Sequence, residues 1–125
     1  MKRGDYWQTP IAFYKQLDDE FHFTDDPCPL GAEDGLIRDW HGVVFMNPPY
    51  SNPLPWCQKA LEQSRRGVVV VGLLKGDTST RWFHDYVLPY AELRFIRGRL
   101  EFNEAGPAPF ASILAIWRPV RNNRR

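Results

Sequence analysis

The sequence predicts a single α/β domain: a three-layer sandwich with a mostly parallel central sheet, helices on both faces and an antiparallel hairpin at one edge. Three observations support this fold class. Two short apolar runs, 43–46 and 68–74, have the composition of strands buried on both faces. Apolar residues at helical spacing lie between these runs, as in a βαβ unit. Two later segments, 92–102 and 112–117, alternate on either side of a glycine-containing loop and predict the hairpin.

Length and composition indicate one folded domain, 1–125, without a strong electrostatic preference. The 125 residues are 43% hydrophobic and carry a net charge of +1. This content allows a sizeable core, while the charge gives no global attraction to nucleic acid. Cys28 and Cys57 have the spacing of neither a metal-ligand pair nor a disulfide framework, so we expect no metal site and a reduced, cytoplasmic protein. No apolar run reaches membrane-spanning length, and the basic tail over residues 119–125 is expected to be solvated.

The remaining elements follow from helix and turn signals. Thr9 can cap a helix that begins at Pro10 and extends to about Glu20. The segment His22–Asp25 reads as a strand. A second helix is predicted over Pro53–Arg66, where Gly67 provides a plausible end, and a third over Trp82–Leu88.

The first apolar run ends in the tetrapeptide Asn47-Pro48-Pro49-Tyr50. Neither proline can donate a hydrogen bond to a sheet, so the strand stops at Asn47 and the carbonyl of Pro48 is expected to be free of sheet pairing. The corner then displays an amide side chain, a carbonyl oxygen and an aromatic ring. An amino group on a flat ring needs two acceptors and a stacking platform, and this corner offers both. The alternative is that the tetrapeptide is only a proline-rich exit from a strand.

The tetrapeptide resembles the catalytic motif of S-adenosylmethionine-dependent amino-methyltransferases, which act on DNA adenine, RNA or protein glutamine. Other segments of the chain resemble, in order, the phage-type DNA adenine-N6 methyltransferases. They are Trp7-Gln8-Thr9-Pro10, Phe23-Thr24-Asp25-Asp26-Pro27-Cys28, Asp39-Trp40, Thr80-Arg81-Trp82-Phe83-His84, Arg97-Gly98-Arg99-Leu100-Glu101-Phe102 and Ala108-Pro109-Phe110-Ala111-Ser112. The resemblance extends from about Trp7 to Pro119. It implies a reduced Rossmann-like methyltransferase fold, methylation of the exocyclic N6 amino group of adenine in DNA, and a phage or prophage protein in the cytoplasm of a bacterial host.

The resemblance also implies S-adenosylmethionine as the cofactor. The residues it assigns to cofactor binding are Trp7, Gln8, Thr9, Pro10, Asp26, Cys28, Asp39 and Trp40. The usual glycine-rich cofactor loop is absent, although this cofactor has no phosphate for such a loop to bind. Two alternatives stay open: Asp26 as a simple turn residue, and Trp40 as a core residue with Asp39 as a cap.

In the family mechanism, Asn47, Pro48, Pro49 and Tyr50 are the catalytic residues. The Asn47 side-chain oxygen and the Pro48 carbonyl would hold the amino group of a flipped adenine, and Tyr50 would stack on the base. Arg81, Arg97 and Arg99 are the candidate DNA contacts. Because the chain has no insertion large enough to be a target-recognition domain, sequence readout is expected from loops 75–81 and 103–109 or from a second subunit, as in a homodimer. The alternatives are a methyltransferase that acts on RNA or protein, and a nucleic-acid-binding module without catalysis.

Overall fold

A computed structural model describes residues 8–29, 34–101 and 106–119. The predictions for Trp7, for part of loop 103–109 and for nearly all of the basic tail lie outside these ranges. The elements in the described ranges are α1 (Ile11–Phe21), β1 (Val43–Met46), α2 (Leu54–Arg65), β2 (Val69–Lys75), a π-helical segment (Phe83–Val87), β3 (Glu92–Phe95) and β4 (Ser112–Trp117), with a short 3-10 turn at Asp34–Leu36. None of the helices in these ranges is both long and apolar enough to cross a membrane.

The four strands form one mixed sheet in the order β1-β2-β4-β3. β1 pairs with β2 in parallel, whereas β4 pairs antiparallel with both β2 and β3. Three strands therefore share one direction, and β4 alone runs the opposite way between two of them. Most of the described strands run in one direction, as the prediction of a mostly parallel sheet requires. Only the pair β1 and β2 is hydrogen-bonded in parallel, however, and the other two pairs are antiparallel. The carboxyl ends of β1, β2 and β3 and the start of β4 consequently meet at one edge, which we call the carboxyl edge.

The core consists of two clusters on opposite faces of the sheet, because neighbouring side chains in a strand point to opposite sides. α1 covers one face, which we call the α1 face, with Leu17 as its buried contact. The strand residues on that face are Phe45, Val71, Leu73, Leu114 and Ile116. α2 and the π-helical segment cover the other face, where the strand residues are Val44, Met46, Val70, Leu74, Ile113, Ala115 and Trp117. The described residues thus form the predicted three layers.

The predicted strand at His22–Asp25 is only a single parallel bridge between Asp25 and Val44. His22 caps the end of α1 in the left-handed conformation, with φ of 57°, and so cannot continue a strand. Pro27 has no N–H group to extend the pairing in the other direction. The segment nevertheless lies beside β1, because the Phe45 amide donates to the Asp25 carbonyl at 3.0 Å.

Two helix predictions also change in detail. The N-cap of α1 is Pro10, with no side-chain cap, so the prediction of Thr9 as the capping residue is wrong. The third predicted helix is a π-helical segment, in which the Leu88 amide donates to the Phe83 carbonyl five residues earlier. Apolar spacing indicates a helix here but cannot distinguish the α from the π hydrogen-bond pattern.

Candidate active site

The corner after β1 lies at the carboxyl edge, as the sequence predicts. Pro48 and Pro49 are buried, while Asn47 and Tyr50 are half-buried. Among the described residues, no backbone amide donates to the Pro48 carbonyl. In parallel α/β sheets ligands bind outside the carboxyl ends of the strands, so the tetrapeptide lies where this architecture places its binding sites.

The Asn47 side chain is held by Thr9. Its Nδ2 atom donates to the Thr9 Oγ1 atom at 3.1 Å, although the two residues lie far apart in the sequence. This bond holds the amide group of Asn47, whose oxygen is by its chemistry an acceptor. Thr9 precedes α1, with exposed Gln8 before it and half-buried Pro10 after it. The structure therefore joins two segments that the sequence analysis had assigned separately, to cofactor and to substrate.

The loop Asp26–Cys28 contacts the backbone of Asn47. The Asp26 Oδ1 atom accepts from the Cys28 amide at 3.3 Å, and the Asn47 backbone forms a hydrogen bond with the Cys28 thiol. Burial, followed by the Asp26 charge, raises the pKa of Cys28, which therefore stays a neutral thiol. Desolvation also raises the pKa of Asp26, although its side chain reaches the surface. Within the described residues Asp26 forms no ion pair, and a carboxylate of this kind is suited to receive a cationic ligand.

Tyr50 contacts an aromatic residue that the sequence analysis did not select. Its ring lies edge-on to Phe110, with centroids 5.1 Å apart and planes at 76°. The Lys75 Nζ atom lies 5.5 Å from the centre of the Phe110 ring. Burial raises the pKa of Tyr50, so its hydroxyl stays protonated. The only sequence signal for Phe110 was its place in the segment Ala108-Pro109-Phe110-Ala111-Ser112, to which no role had been given.

Asp39 and Trp40 do not join this cluster. They precede β1 and lie at the end of that strand opposite to Asn47. The Trp40 side chain is 2% exposed and stacks on Trp56, with centroids 6.4 Å apart, and its ring N–H donates to the Gly35 carbonyl at 2.7 Å. These contacts favour the core alternative for Trp40. Asp39 accepts hydrogen bonds from Gln63 and Arg66 rather than capping a helix.

The three arginines selected as DNA contacts lie along the carboxyl edge. Arg81 follows the loop after β2, and its side chain is 86% exposed, with only a 4.0 Å approach to Asp85. Arg97 and Arg99 follow the carboxyl end of β3, and both are exposed. The Arg99 guanidinium also donates to the Ala108 carbonyl at 3.4 Å. These exposed arginines share the carboxyl edge with carboxylates, because Asp77 pairs with Lys75 at 3.6 Å and Asp85 approaches Arg81.

A separate open groove of about 700 Å³ runs along the outer side of α2. Leu36, Lys59, Arg65 and Tyr86 are among its lining residues, and it includes none of the residues selected from the sequence. It lies on the face opposite to the α1 face. Within the described ranges, no three His, Cys, Asp or Glu residues are grouped in a way that could hold a metal ion.

Comparison with known proteins identifies the family. The chain matches the family described as DNA N-6-adenine-methyltransferase (Dam) over residues 1–125. It is 35% identical over 120 residues to a DNA N-6-adenine-methyltransferase of Haemophilus phage HP1, covering 82% of this chain and 69% of that protein. It is also 35% identical over 110 residues to a DNA N-6-adenine-methyltransferase of Escherichia phage T1, covering 77% of this chain and 46% of that protein. No solved structure matches the chain.

The family match extends along the whole chain. The resemblance stated from the sequence is thereby confirmed. The chain belongs to the DNA N-6-adenine-methyltransferase (Dam) family, whose reaction is the methylation of the N6 amino group of adenine in DNA.

Proposed function

We propose that the carboxyl edge of this chain is the site at which the N6 amino group of a DNA adenine receives a methyl group from S-adenosylmethionine. The observation that carries the proposal is the hydrogen bond between Asn47 and Thr9. It connects the segment assigned to the amino group with a segment assigned to the cofactor. We assign the fold as a reduced Rossmann-like one, because α2 joins the parallel strands β1 and β2 and the candidate ligand-binding residues follow their carboxyl ends.

The amino group of adenine is a poor nucleophile, because its lone pair is delocalised into the ring. In the proposed mechanism the Asn47 side-chain oxygen and the Pro48 carbonyl accept its two hydrogens. These acceptors turn the lone pair out of the ring plane and stabilise the positive charge that develops on nitrogen. Alignment of this kind contributes roughly 7–11 kcal/mol in well-oriented reactions.

No strong general base is needed, since the extra proton of the methylated nitrogen is acidic enough to leave to water. Two nearby groups are unsuited to that task. The pKa of the Cys28 thiol and that of the Tyr50 hydroxyl are both raised by burial, so both groups keep their protons at neutral pH. We therefore assign Cys28 to the wall of the site and Tyr50 to stacking.

A stacked adenine cannot reach a corner recessed in the protein. The substrate base is therefore flipped out of a duplex, at a cost of a few kcal/mol, or is already single-stranded. Tyr50 and Phe110 form an aromatic pair beside Asn47 on which the base can stack. Arg81, Arg97 and Arg99 line the same edge and are suited to phosphate contacts.

The residues beside Asn47 fit a cationic cofactor. S-adenosylmethionine, when bound, supplies the electrophilic methyl group. Asp26 offers a carboxylate for its positive groups, and Gln8, Thr9 and Cys28 complete the wall. Trp7 and Pro10 stay assigned by resemblance alone. Asp39 and Trp40 are left out of the proposed site because of their position at the other end of β1 and the burial of Trp40.

We infer a cytoplasmic setting in a bacterial host from the phage relatives. Assembly as a homodimer is an inference from the absence of a target-recognition insertion, and sedimentation of the purified chain with and without DNA would test it. A dimer would provide additional loops for reading the sequence around the target base.

The experiment that tests the function compares substrates in parallel. Purified protein is incubated with methyl-labelled S-adenosylmethionine and unmethylated DNA, RNA or a protein extract, and cofactor binding is measured by calorimetry. We expect label on DNA and measurable cofactor binding. Label on RNA or protein alone would replace DNA as the substrate class, and the absence of cofactor binding would favour a nucleic-acid-binding module.

A further inference from the structure

The α1 face carries three polar residues near the carboxyl edge, on neighbouring strands. Lys75 at the end of β2 is paired with Ser112 at the start of β4. Both residues lie two positions beyond the paired Leu73 and Leu114, which pack on the α1 face, so both share that face. Asn47 lies two positions beyond Phe45, which also packs there, and its bond to Thr9 beside α1 is consistent with the same side.

The hydroxyl of Ser112 is buried at the start of β4. Its side chain is 2% exposed, and among the described residues no group forms a hydrogen bond with its hydroxyl. Burial of an unpaired hydroxyl destabilises a folded protein. Ser64, which is equally buried, shows the ordinary arrangement, since its hydroxyl donates to the Leu61 carbonyl at 2.8 Å.

The position of Ser112 connects this hydroxyl to the aromatic pair. Phe110 lies two residues earlier in the chain and contacts Tyr50. Ser112 therefore begins β4 at the same edge of the sheet as the surface on which the target base is proposed to stack. The hydroxyl is covered in this structure, so a base can reach it only when neighbouring side chains move.

The chemistry of adenine indicates what this hydroxyl would bind. The amino group uses both of its hydrogens on Asn47 and Pro48 in the proposed mechanism. The ring nitrogens on either side of it, N1 and N7, are acceptors and need donors. A serine hydroxyl is a donor, and the amide oxygen of Asn47 is not.

We propose that Ser112 is a substrate-contacting residue whose hydroxyl donates a hydrogen bond to a ring nitrogen adjacent to the amino group of the target adenine. This inference rests on the proposed function of the corner and identifies a specificity determinant for it. The cost of the buried hydroxyl in the free protein is then offset when the base binds. Ser112 would help to distinguish adenine from bases that lack an acceptor at this place.

The first test compares two buried serines. Ser112→Ala should lower kcat/KM for DNA about 3- to 10-fold, the range expected for loss of one neutral hydrogen bond, with no change in cofactor affinity. Its Tm should be unchanged or higher, because an unpaired hydroxyl has been removed. Ser64→Ala should leave the kinetics unchanged and keep or lower the Tm. A lower Tm for Ser112→Ala with normal kinetics would show a structural hydroxyl and overturn the proposal.

The second test identifies the atom that is bound. The methylated site is first mapped in unmethylated plasmid DNA, and oligonucleotides are then made with 1-deaza-, 7-deaza- or 3-deazaadenine at the target position. Either the 1-deaza or the 7-deaza analogue should slow methylation by the wild type. The same analogue should not slow Ser112→Ala relative to its rate with adenine. The 3-deaza analogue is the control, and its effect should be the same in both proteins.

The outcomes separate this inference from the proposed function. If the wild type does not methylate DNA, the proposed function fails and the inference fails with it. If the wild type is active but each analogue slows the wild type and Ser112→Ala by the same factor, only the Ser112 contact is overturned.

Discussion

The hydrogen bond between Asn47 and Thr9 holds the side chain on which the proposed mechanism depends. An asparagine at a strand end can rotate, but a hydrogen bond at 3.1 Å to a residue from another segment fixes its amide plane. The acceptor oxygen is then oriented before the substrate arrives, and pre-orientation avoids the cost of ordering the group during the reaction.

Thr9→Val should lower kcat about 3- to 10-fold, because it keeps the shape of the side chain and removes one hydrogen bond that orients Asn47. Thr9→Ser keeps the hydroxyl and is the matched control, with near-normal kcat expected. Steady-state methylation of DNA measures both. Equal kcat values for the two variants would show that the bond does not contribute to turnover.

Asp26→Asn should weaken S-adenosylmethionine binding without lowering stability. Desolvation raises the pKa of this carboxyl, so its charged form is disfavoured in the folded protein. Its contribution to stability therefore falls as the pH rises through the raised pKa, and removing the charge should leave the Tm at neutral pH unchanged or slightly higher.

The raised pKa of Asp26 predicts that cofactor binding depends on pH. Cofactor affinity of the wild type should fall as the pH is lowered from about 8 to about 4, because Asp26 becomes neutral, and Asp26→Asn should lack that decrease. Calorimetry measures both, with the exposed Asp19→Asn as the control. The same pH profile in wild type and Asp26→Asn would remove Asp26 from the cofactor site.

Tyr50→Phe should stay active, because stacking needs the ring and not the hydroxyl. Tyr50→Ala and Phe110→Ala should each lose on the order of 1–3 kcal/mol of base stacking. The loss should appear in kcat/KM for DNA and in the fluorescence of 2-aminopurine at the target position, with cofactor affinity unchanged. If Tyr50→Ala matches Tyr50→Phe in both signals, Tyr50 is a packing residue.

At the scale of elements, Asp25 joins the segment after α1 to the loop before β1. Its carboxylate accepts two bonds from the Arg38 guanidinium, both at 2.9 Å, and one from the His41 amide at 3.0 Å. The hydrogen bond to Arg38 is the main cause of the lowered pKa of Asp25. This network anchors the residue that immediately precedes the Asp26–Cys28 loop.

Asp25→Ala should reduce the free energy of unfolding by about 1–3 kcal/mol. Asp85→Ala, which removes an exposed pair at 4.0 Å, is the control and should change it by less than about 0.5 kcal/mol. Because the pKa of Asp25 is lowered in the folded state, its stabilisation is present above the unfolded value and lost as the pH falls through the folded one.

Urea unfolding at neutral pH and below about pH 4 measures both variants against the wild type. The difference between wild type and Asp25→Ala should shrink on acidification. A pH-independent difference would assign the effect of the substitution to packing instead of to the charge.

The elements show how much of the fold the sequence predicts. Periodicity locates α1, α2, β1, β2 and β4 to within about two residues, because their buried faces repeat with a clear period. The sequence does not predict that β4 pairs between β2 and β3, since this order depends on the contacts of distant segments. Phe110 was missed for the same reason: only the pairing of β4 brings it to Tyr50.

The sequence predicts the position of the corner at Asn47 but not the contacts within it. The tetrapeptide at Asn47 reads directly from residue type, because two prolines must end a strand. The bond to Thr9 could not be predicted, since the side chain appeared equally suited to cap α1. Trp40 stayed ambiguous because an aromatic residue before a strand can serve the core or a ligand, and its 2% exposure supports the core.

At the scale of the whole molecule, the proposed catalytic residues and the proposed DNA contacts lie at one edge of the sheet. The net charge is only +1, yet Arg81, Arg97 and Arg99 lie at the edge that carries Asn47 and Tyr50. Exposed arginines at the edge of a proposed stacking platform suit a flipped base with its flanking phosphates. The described part of the chain therefore places the proposed DNA contacts and the proposed chemistry on the same side.

The central claim is that Asn47 holds the amino group of a DNA adenine for methylation. The most direct measurement is mass spectrometry of nucleosides from DNA incubated with S-adenosylmethionine and either wild type or Asn47→Ala, with cofactor affinity measured in parallel. We predict N6-methyldeoxyadenosine with the wild type, a loss of about 100-fold or more with Asn47→Ala, and equal cofactor affinity. Near-normal formation of N6-methyldeoxyadenosine by Asn47→Ala would contradict the claim.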